Sequence, residues 1–345
     1  MSSWQYCHNY FVWLVPLICF DVINIMQDSN RDIRLIFIGG APRSGTTLLQ
    51  NMLDSHPDIL GGPEFLHIPD IIHLRNKLHT SLSREWITLI TSYEEVDTHI
   101  KSLIENFLLP FAKKHGAKIL SEKTPENILV FPELTELFPD ARLIQVVRDP
   151  RAIVASMLQV AARARKKGLQ PAPFTKNIDA AVRRVKECFS TGFKAVDDCP
   201  GRVLTVVYEE LVKHPRTETK RICNFLGIDW DAGMITPGSK KHIGEQAITI
   251  KSNELWYDAK TYNSDPFTAS LEKWKTVLTP TQQVTISKAF HNNQNLSRLG
   301  YDFSTRSINT KLWVIGSIIC TLNGLINYLP RKIISALKKF KIVAN

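Results

Sequence analysis

Eight residues constrain this chain more than any other stretch: Gly40-Ala41-Pro42-Arg43-Ser44-Gly45-Thr46-Thr47. A short apolar run at 35–38 closes in Gly39-Gly40 immediately before the turn, which reads as a buried strand entering a loop. Leu48, Leu49, Met52 and Leu53 follow at helical spacing, so a helix begins where the loop ends. A glycine-containing turn between a buried strand and a helix N-terminus aims backbone N–H groups at an anion at close range. The spacing, GxxxxG followed by two threonines, is that of a phosphate loop, but Thr46 stands where a nucleoside triphosphatase carries its lysine. Arg43 supplies positive charge from inside the loop, and Ser44, Thr46 and Thr47 supply hydroxyls. A donor with a short anionic chain and no metal fits this set better than Mg²⁺-ATP. A ligand-free turn would give Arg43 and three hydroxyl side chains no packing purpose.

Further short apolar runs lie at 119–120, 143–147 and 203–207, separated by helical patterns at 131–138, 153–165 and 216–226, with Gly227 at a helix C-cap position. Strands alternating with helices predict an α/β domain with a central parallel sheet and helices on both faces. Residues 68–115 are mostly helical in pattern and carry no evident chemistry. The run at 143–147 ends in Arg148-Asp149-Pro150-Arg151, and a helix follows through Ser156. Arg148 at the strand end and Ser156 two helical turns on can converge on one phosphate. Alone, an Arg-Asp pair before a helix also reads as a capping ion pair. Together with the first loop it points to a ligand with two separated anionic ends.

The chain has 345 residues, 44% hydrophobic and 22% charged, enough to bury an independent core over 31–305. Its net charge of +10 is unevenly placed: seven basic residues and no acidic ones follow position 305. The body is therefore mildly basic, which suits one anionic ligand and not a nucleic-acid surface. Within 306–345, the uncharged stretch 312–329 and its basic flank (Arg331-Lys332, Lys338-Lys339-x-Lys341) favour a membrane-associated helix over a final core helix. In 1–30, the apolar run 11–20 is broken by Pro16 and closed by Asp21, so it reads either as a weak anchor or as an arm packed on the body. Six scattered cysteines form no CxxC pair or Cys/His cluster, so no metal site is expected. Cys188 and Cys199, read as flanking a short loop, either pair in an oxidising compartment or stay free and buried.

With these motifs in place, the sequence resembles the sulfotransferases that use 3′-phosphoadenosine-5′-phosphosulfate (PAPS). It is closest in motif to the tyrosylprotein sulfotransferase branch and its bacterial relatives. The likeness runs over roughly residues 34–303. It rests on Pro42-Arg43-Ser44-Gly45-Thr46-Thr47-Leu48, Leu53-Asp54-Ser55-His56-Pro57-Asp58, Glu64, Ile68-Pro69 and Val147-Arg148-Asp149-Pro150-Arg151 through Ser156. Val207-Tyr208-Glu209-Glu210-Leu211, Phe225-Leu226-Gly227, Leu271-Glu272-Lys273-Trp274 and Leu299-Gly300-Tyr301 match more loosely. The resemblance implies a P-loop-like sulfotransferase fold. It implies that Arg43, Ser44, Gly45, Thr46 and Thr47 bind the 5′ phosphosulfate, that Arg148 and Ser156 hold the 3′ phosphate, and that Tyr208 sits near the adenine. Ser252 and Lys273 would close over the nucleotide.

For the chemistry, the resemblance implies Glu64 as the base on the acceptor hydroxyl, with Lys123 and Arg43 neutralising charge on the leaving side and no metal required. His56 reads as fixing the turn before Pro57. The departures fall on the acceptor side: Gly61, Pro63 and Leu66 replace the family's cysteine, acid and basic residue. They favour a less charged lipid, phenolic or carbohydrate hydroxyl over protein tyrosine. Two rivals remain, a P-loop kinase or NTPase and a non-catalytic nucleotide- or anion-binding membrane module. The oligomeric state, a homodimer included, stays open, as does the compartment, Golgi lumen or the cytoplasmic face of a bacterial membrane.

Overall fold

The computed structural model describes residues 33–245, 255–256, 262 and 264–303. The two terminal segments and Ser252 lie outside them. Five parallel strands form one sheet in the order β2-β3-β1-β4-β5, with β1 Arg34–Gly40, β2 Ile59–Gly61, β3 Ile119–Lys123, β4 Arg142–Val147 and β5 Val203–Val207. β1 and β4 read as nearly unbroken apolar runs because both sheet faces are covered. Alternation along each strand then feeds two cores. Phe37, Leu120 and Leu143 face one side, and Ile36, Ile38, Ile119, Ile144 and Val206 face the other.

On the second side lie α1 Thr46–Asp54, α7 Tyr208–Lys213 and α8 Pro215–Leu226, through residues such as Leu49, Met52, Leu211 and Ile222. On the first lie α2 Ile68–Ser83, α3 Tyr93–Lys114, α4 Phe131–Leu137, α5 Pro150–Lys166 and α6 Ile178–Asp198. The helical region expected at 68–115 is thus two helices, the second opened by a capping box of Ser92 and Glu95. Gly227 ends α8 at φ 66°, as its position predicts.

Several elements escape the sequence reading, β2 and α6 among them. β2 is a three-residue edge strand, too short to leave a pattern. α6 is long and amphipathic, burying Val182, Val185, Phe189 and Phe193. Its Gly192 lets α6 approach the sheet closely: a Cβ there would fall 2.1 Å from the Gln145 Oε1 of β4 and 2.7 Å from the Ile128 side chain, so those side chains would have to shift. This helix also corrects the cysteine reading. Cys188 lies inside α6 and Cys199 caps its end, eleven residues along one helix and not across a loop. About 1.5 Å of rise per residue holds them too far apart for a bridge. Both are free, Cys188 buried and Cys199 donating to Thr135 Oγ1 at 3.4 Å.

Candidate active site

β1 sits at the centre of the order, with β3 on one side and β4 on the other. The crevice at the carboxyl ends of these three strands is where an open α/β sheet places a ligand. The phosphate loop leaves β1 as the sequence predicts. Arg43 and Gly45 both take left-handed backbone, φ 77° and 102°, and Gly45 is the N-cap of α1 without any side-chain cap bond. Ser44 N–H donates to the Ala41 carbonyl at 2.9 Å, closing the turn, and Ser44 Oγ is buried with no hydrogen-bond partner among the described residues.

Arg148, at the end of β4, brings the second motif to the same place. Its Nη1 donates to the Arg43 carbonyl at 3.3 Å, and its guanidinium carbon lies 4.2 Å from the centre of the Tyr208 ring. Its buried Nε has no partner among the described residues. Ser156, two turns into α5, accepts from Arg43 Nε at 3.1 Å. Arg43, Arg148 and Ser156 therefore form one patch. Arg43 also donates to the Trp256 carbonyl at 2.6 Å, so residue 256 lies against the loop. Tyr208 is buried, packed against Gly45 and under Arg148.

Arg151 has another fate. It is buried on Asp149, Nη2 to Oδ2 at 2.7 Å, and its guanidinium stacks 4.3 Å from the Trp274 ring and 5.1 Å from Phe303. Glu209 accepts from the Asp149 N–H at 3.0 Å and from Tyr301 Oη at 2.5 Å. Burial pushes the carboxyl of Glu209 and the phenol of Tyr301 above their ordinary values. These late motifs brace the Arg148 turn from behind.

The end of β3 supplies the remaining pair. Ile38 of β1 registers with Lys123, which sets the lysine level with the phosphate loop. Lys123 Nζ donates to Thr47 Oγ1 at 3.3 Å and forms an ion pair with the Glu64 carboxylate. One buried ammonium thus spans the loop and the acid. Apolar rings flank the Glu64 loop on its α3 side. The Phe65 ring lies 5.1 Å from Phe107 of α3, and Phe111 packs against Gly62. His56 Nε2–H donates to the Asp229 carbonyl at 2.8 Å while its Nδ1 accepts from the Asp58 N–H at 3.1 Å, so the ring holds the turn as expected.

Residues 35–232, which contain all of these groups except Trp256, Trp274, Tyr301 and Phe303, match the sulfotransferase family. The chain belongs to that family. Curated relatives of this sulfotransferase-family chain include protein-tyrosine sulfotransferase 1 of Danio rerio, 35% identical over 60% of this chain and 56% of its own. Protein-tyrosine sulfotransferase 1 of Homo sapiens is 36% identical over 60% of this chain and 54% of its own. The chain spans about half the length of these two. A putative protein-tyrosine sulfotransferase of Caenorhabditis briggsae is 28% identical over 79% of this chain and 90% of its own. Among solved structures, the sulfotransferase domain from the curacin biosynthetic pathway shares the fold, with a TM-score of 0.53 at 18% identity. It covers 78% of this chain and 98% of that domain.

Of the residues expected at the site, Arg43, Ser44, Gly45, Thr46, Thr47, Glu64, Lys123, Arg148, Ser156 and Tyr208 come together. Lys273 is exposed at the start of the short helix Trp274–Val277, whose buried Trp274 packs on Arg151. Ser252 lies outside the described residues. The sequence reading missed Glu122, Thr124 and Asn127, which flank Lys123 and touch the Glu64 loop or one another. Their one visible signal is a glutamate inside a strand that is buried throughout. Among the described residues no His/Cys/Asp/Glu cluster could hold a metal, and no helix is long and apolar enough to cross a membrane.

Proposed function

We propose that this protein transfers a sulfuryl group from PAPS to an acceptor hydroxyl, with Glu64 as base. One observation carries the reading: the Lys123 ammonium touches Thr47 of the phosphate loop and Glu64 at once. Base and anion cradle are within a single side chain of each other. Two orphaned polar atoms, Ser44 Oγ and Arg148 Nε, support an anionic ligand in the crevice, as does the uncapped N-terminus of α1. Ser44, Gly45, Thr46, Thr47 and Arg43 would hold the 5′ phosphosulfate, and Arg148 with Ser156 the 3′ phosphate. Bound there, the donor supplies the sulfuryl group. Glu64 takes the acceptor proton, and Lys123, with Arg43, places positive charge where the departing phosphate oxygen gains negative charge. Tyr208, packed against Gly45 and Arg148, would sit near the adenine.

The acceptor side favours an uncharged, apolar hydroxyl compound. Leu66 and Phe107 are each 54% exposed beside Glu64, and no lysine or arginine occurs between His56 and Leu74, where Asp58, Glu64 and Asp70 do. Lys113 and Lys114 lie in the last turn of α3, just beyond the Phe111 that packs against Gly62. Between His56 and Leu74 an acidic peptide would meet bare apolar surface and no lysine or arginine. The names of the relatives bring the tyrosyl hydroxyl to the comparison as the rival acceptor. The uncharged stretch 312–329 and its basic flank support attachment to a membrane surface.

Calorimetry of 3′-phosphoadenosine-5′-phosphate (PAP) without Mg²⁺ tests the donor. Binding is expected, weakened by about 10–100-fold in Arg148→Ala, the loss of a charge-assisted contact. Absence of binding by folded protein removes the reading and makes Mg²⁺-ATP the next ligand. With labelled PAPS, an uncharged phenol is expected to outperform an acidic tyrosine peptide in kcat/KM. The reverse order overturns the acceptor assignment.

A further inference from the structure

Three consecutive residues at the end of β3 grip three consecutive residues of the loop that carries Glu64, one to one. Lys123 holds the Glu64 carboxylate. Glu122 Oε1 accepts the Phe65 N–H at 3.2 Å, and Thr124 Oγ1 accepts the Leu66 N–H at 3.2 Å. The grip is itself tied together: Thr124 Oγ1–H donates to Glu122 Oε1 at 2.7 Å, and Asn127 Nδ2 donates to the other Glu122 oxygen.

Two features mark this grip as more than packing. Glu122 is 2% exposed on the face of β3 that looks into the larger core, where an apolar side chain would cost less. Burial, with the nearby charge of Glu64, raises its carboxyl above the ordinary value, while Thr124, Asn127 and the Phe65 amide act in the other direction. Second, Leu66 takes left-handed backbone at φ 65°, a conformation a leucine keeps only where its surroundings over-determine it. The strained residue is the one whose N–H Thr124 holds, two positions from the acid.

We propose that Glu122 and Thr124 are positioning residues for Glu64. They hold residues 64–66 in one backbone conformation, which keeps the carboxylate on Lys123 beside Thr47. The proposal rests on the reading of Glu64 as base. Their described contacts run to the Glu64 loop and to Asn127, not to Arg43, Arg148 or Ser156, so kcat and donor affinity should separate.

The test compares Glu122→Ala, Glu122→Gln, Glu122→Met and Thr124→Val with the wild type. Glu122→Ala is expected to lower kcat by about 10–100-fold, the scale of a small misplacement of a reacting group, with the PAP Kd within about twofold. Glu122→Met fills the volume without the acceptor and keeps the same loss if the alanine variant folds poorly. Glu122→Gln is expected to recover most of kcat. Its Oε1 keeps the Phe65 and Thr124 bonds, and Asn127, whose buried Oδ1 is unpartnered among the described residues, can turn its amide to accept from the new NH₂.

A second readout does not need turnover. Hydrogen exchange should accelerate at the Phe65 amide in Glu122→Met and at the Leu66 amide in Thr124→Val. Unchanged kcat in Glu122→Ala and Glu122→Met, an equal loss of PAP affinity, or no recovery in Glu122→Gln overturns the proposal. If the wild type transfers nothing from PAPS, the proposed function falls instead. Exchange at residues 65 and 66 still decides whether the grip holds the loop.

Discussion

Gly45 is the residue on which the phosphate loop turns. Its φ of 102° and its contact with Tyr208, where a Cβ would sit 2.2 Å from Cδ2, leave room for no other side chain. Left-handed backbone alone costs alanine about 1–2 kcal/mol, which is about tenfold in an equilibrium, before the ring contact is counted. Gly45→Ala is therefore expected to weaken PAP binding by at least about tenfold by calorimetry, with far-UV circular dichroism unchanged. Retained affinity would mean that the cradle does not depend on this conformation. Arg43, also left-handed at φ 77°, carries strain of the same kind two residues earlier. The glycine was legible from its place in the motif. The arginine's backbone was not, because nothing in its side-chain type signals it.

Between elements, α2, α3 and α4 are tied by an ionic contact. Arg75 of α2 donates to Asp97 of α3 at 2.6 and 2.8 Å and to Glu136 of α4 at 2.8 Å, with its side chain only 7% exposed. The hydrogen bonds from Arg75 hold the Asp97 carboxyl below its ordinary 3.8, against the opposing effect of burial. A carboxyl lowered by folding contributes stability that is present above its unfolded value and lost as pH falls through the folded one. Arg75→Met is expected to cost about 2 kcal/mol at pH 7, by urea titration, for lost bonds between charged groups. The difference at pH 7 should shrink at acid pH, as Asp97 is protonated through its lowered folded value in the wild type as well. An equal difference at both pH values would show that the arginine acts through packing alone. In the sequence, residues 68–115 read as helical and without chemistry. The periodicity predicts the helices, but no local pattern pairs position 75 with 97 and 136.

At the scale of the whole molecule, ligand binding at the carboxyl ends of β1, β3 and β4 should stabilise the sheet that carries them. A ligand at 100 times its Kd adds about 2.7 kcal/mol, or about 5–10 °C in Tm for a domain of this size. PAP is expected to raise the Tm by that amount in the wild type and in Glu64→Ala, and far less in Arg148→Ala, with EDTA making no difference. A shift lost in Glu64→Ala would place that carboxylate in donor binding. Much of this architecture followed from contiguous patterns: the apolar runs that become β1, β4 and β5, the Gly40–Thr47 turn and Gly227. Each is local, set by side-chain alternation, helical spacing or the conformational freedom of glycine. What the chain needed its fold to decide was which distant residues meet. Arg148 and Arg151 stand three positions apart in one motif, yet one faces the phosphate loop and the other is sealed on Asp149 and Trp274. Cys188 and Cys199 read as a pair across a loop until α6 placed them along one helix. Lys123 reaches Thr47 and Glu64, and Glu122 and Thr124 reach the next two residues, because parallel register sets Ile38 opposite Lys123. Register across a sheet depends on the packing of both faces at once, and no spacing along a single strand records it.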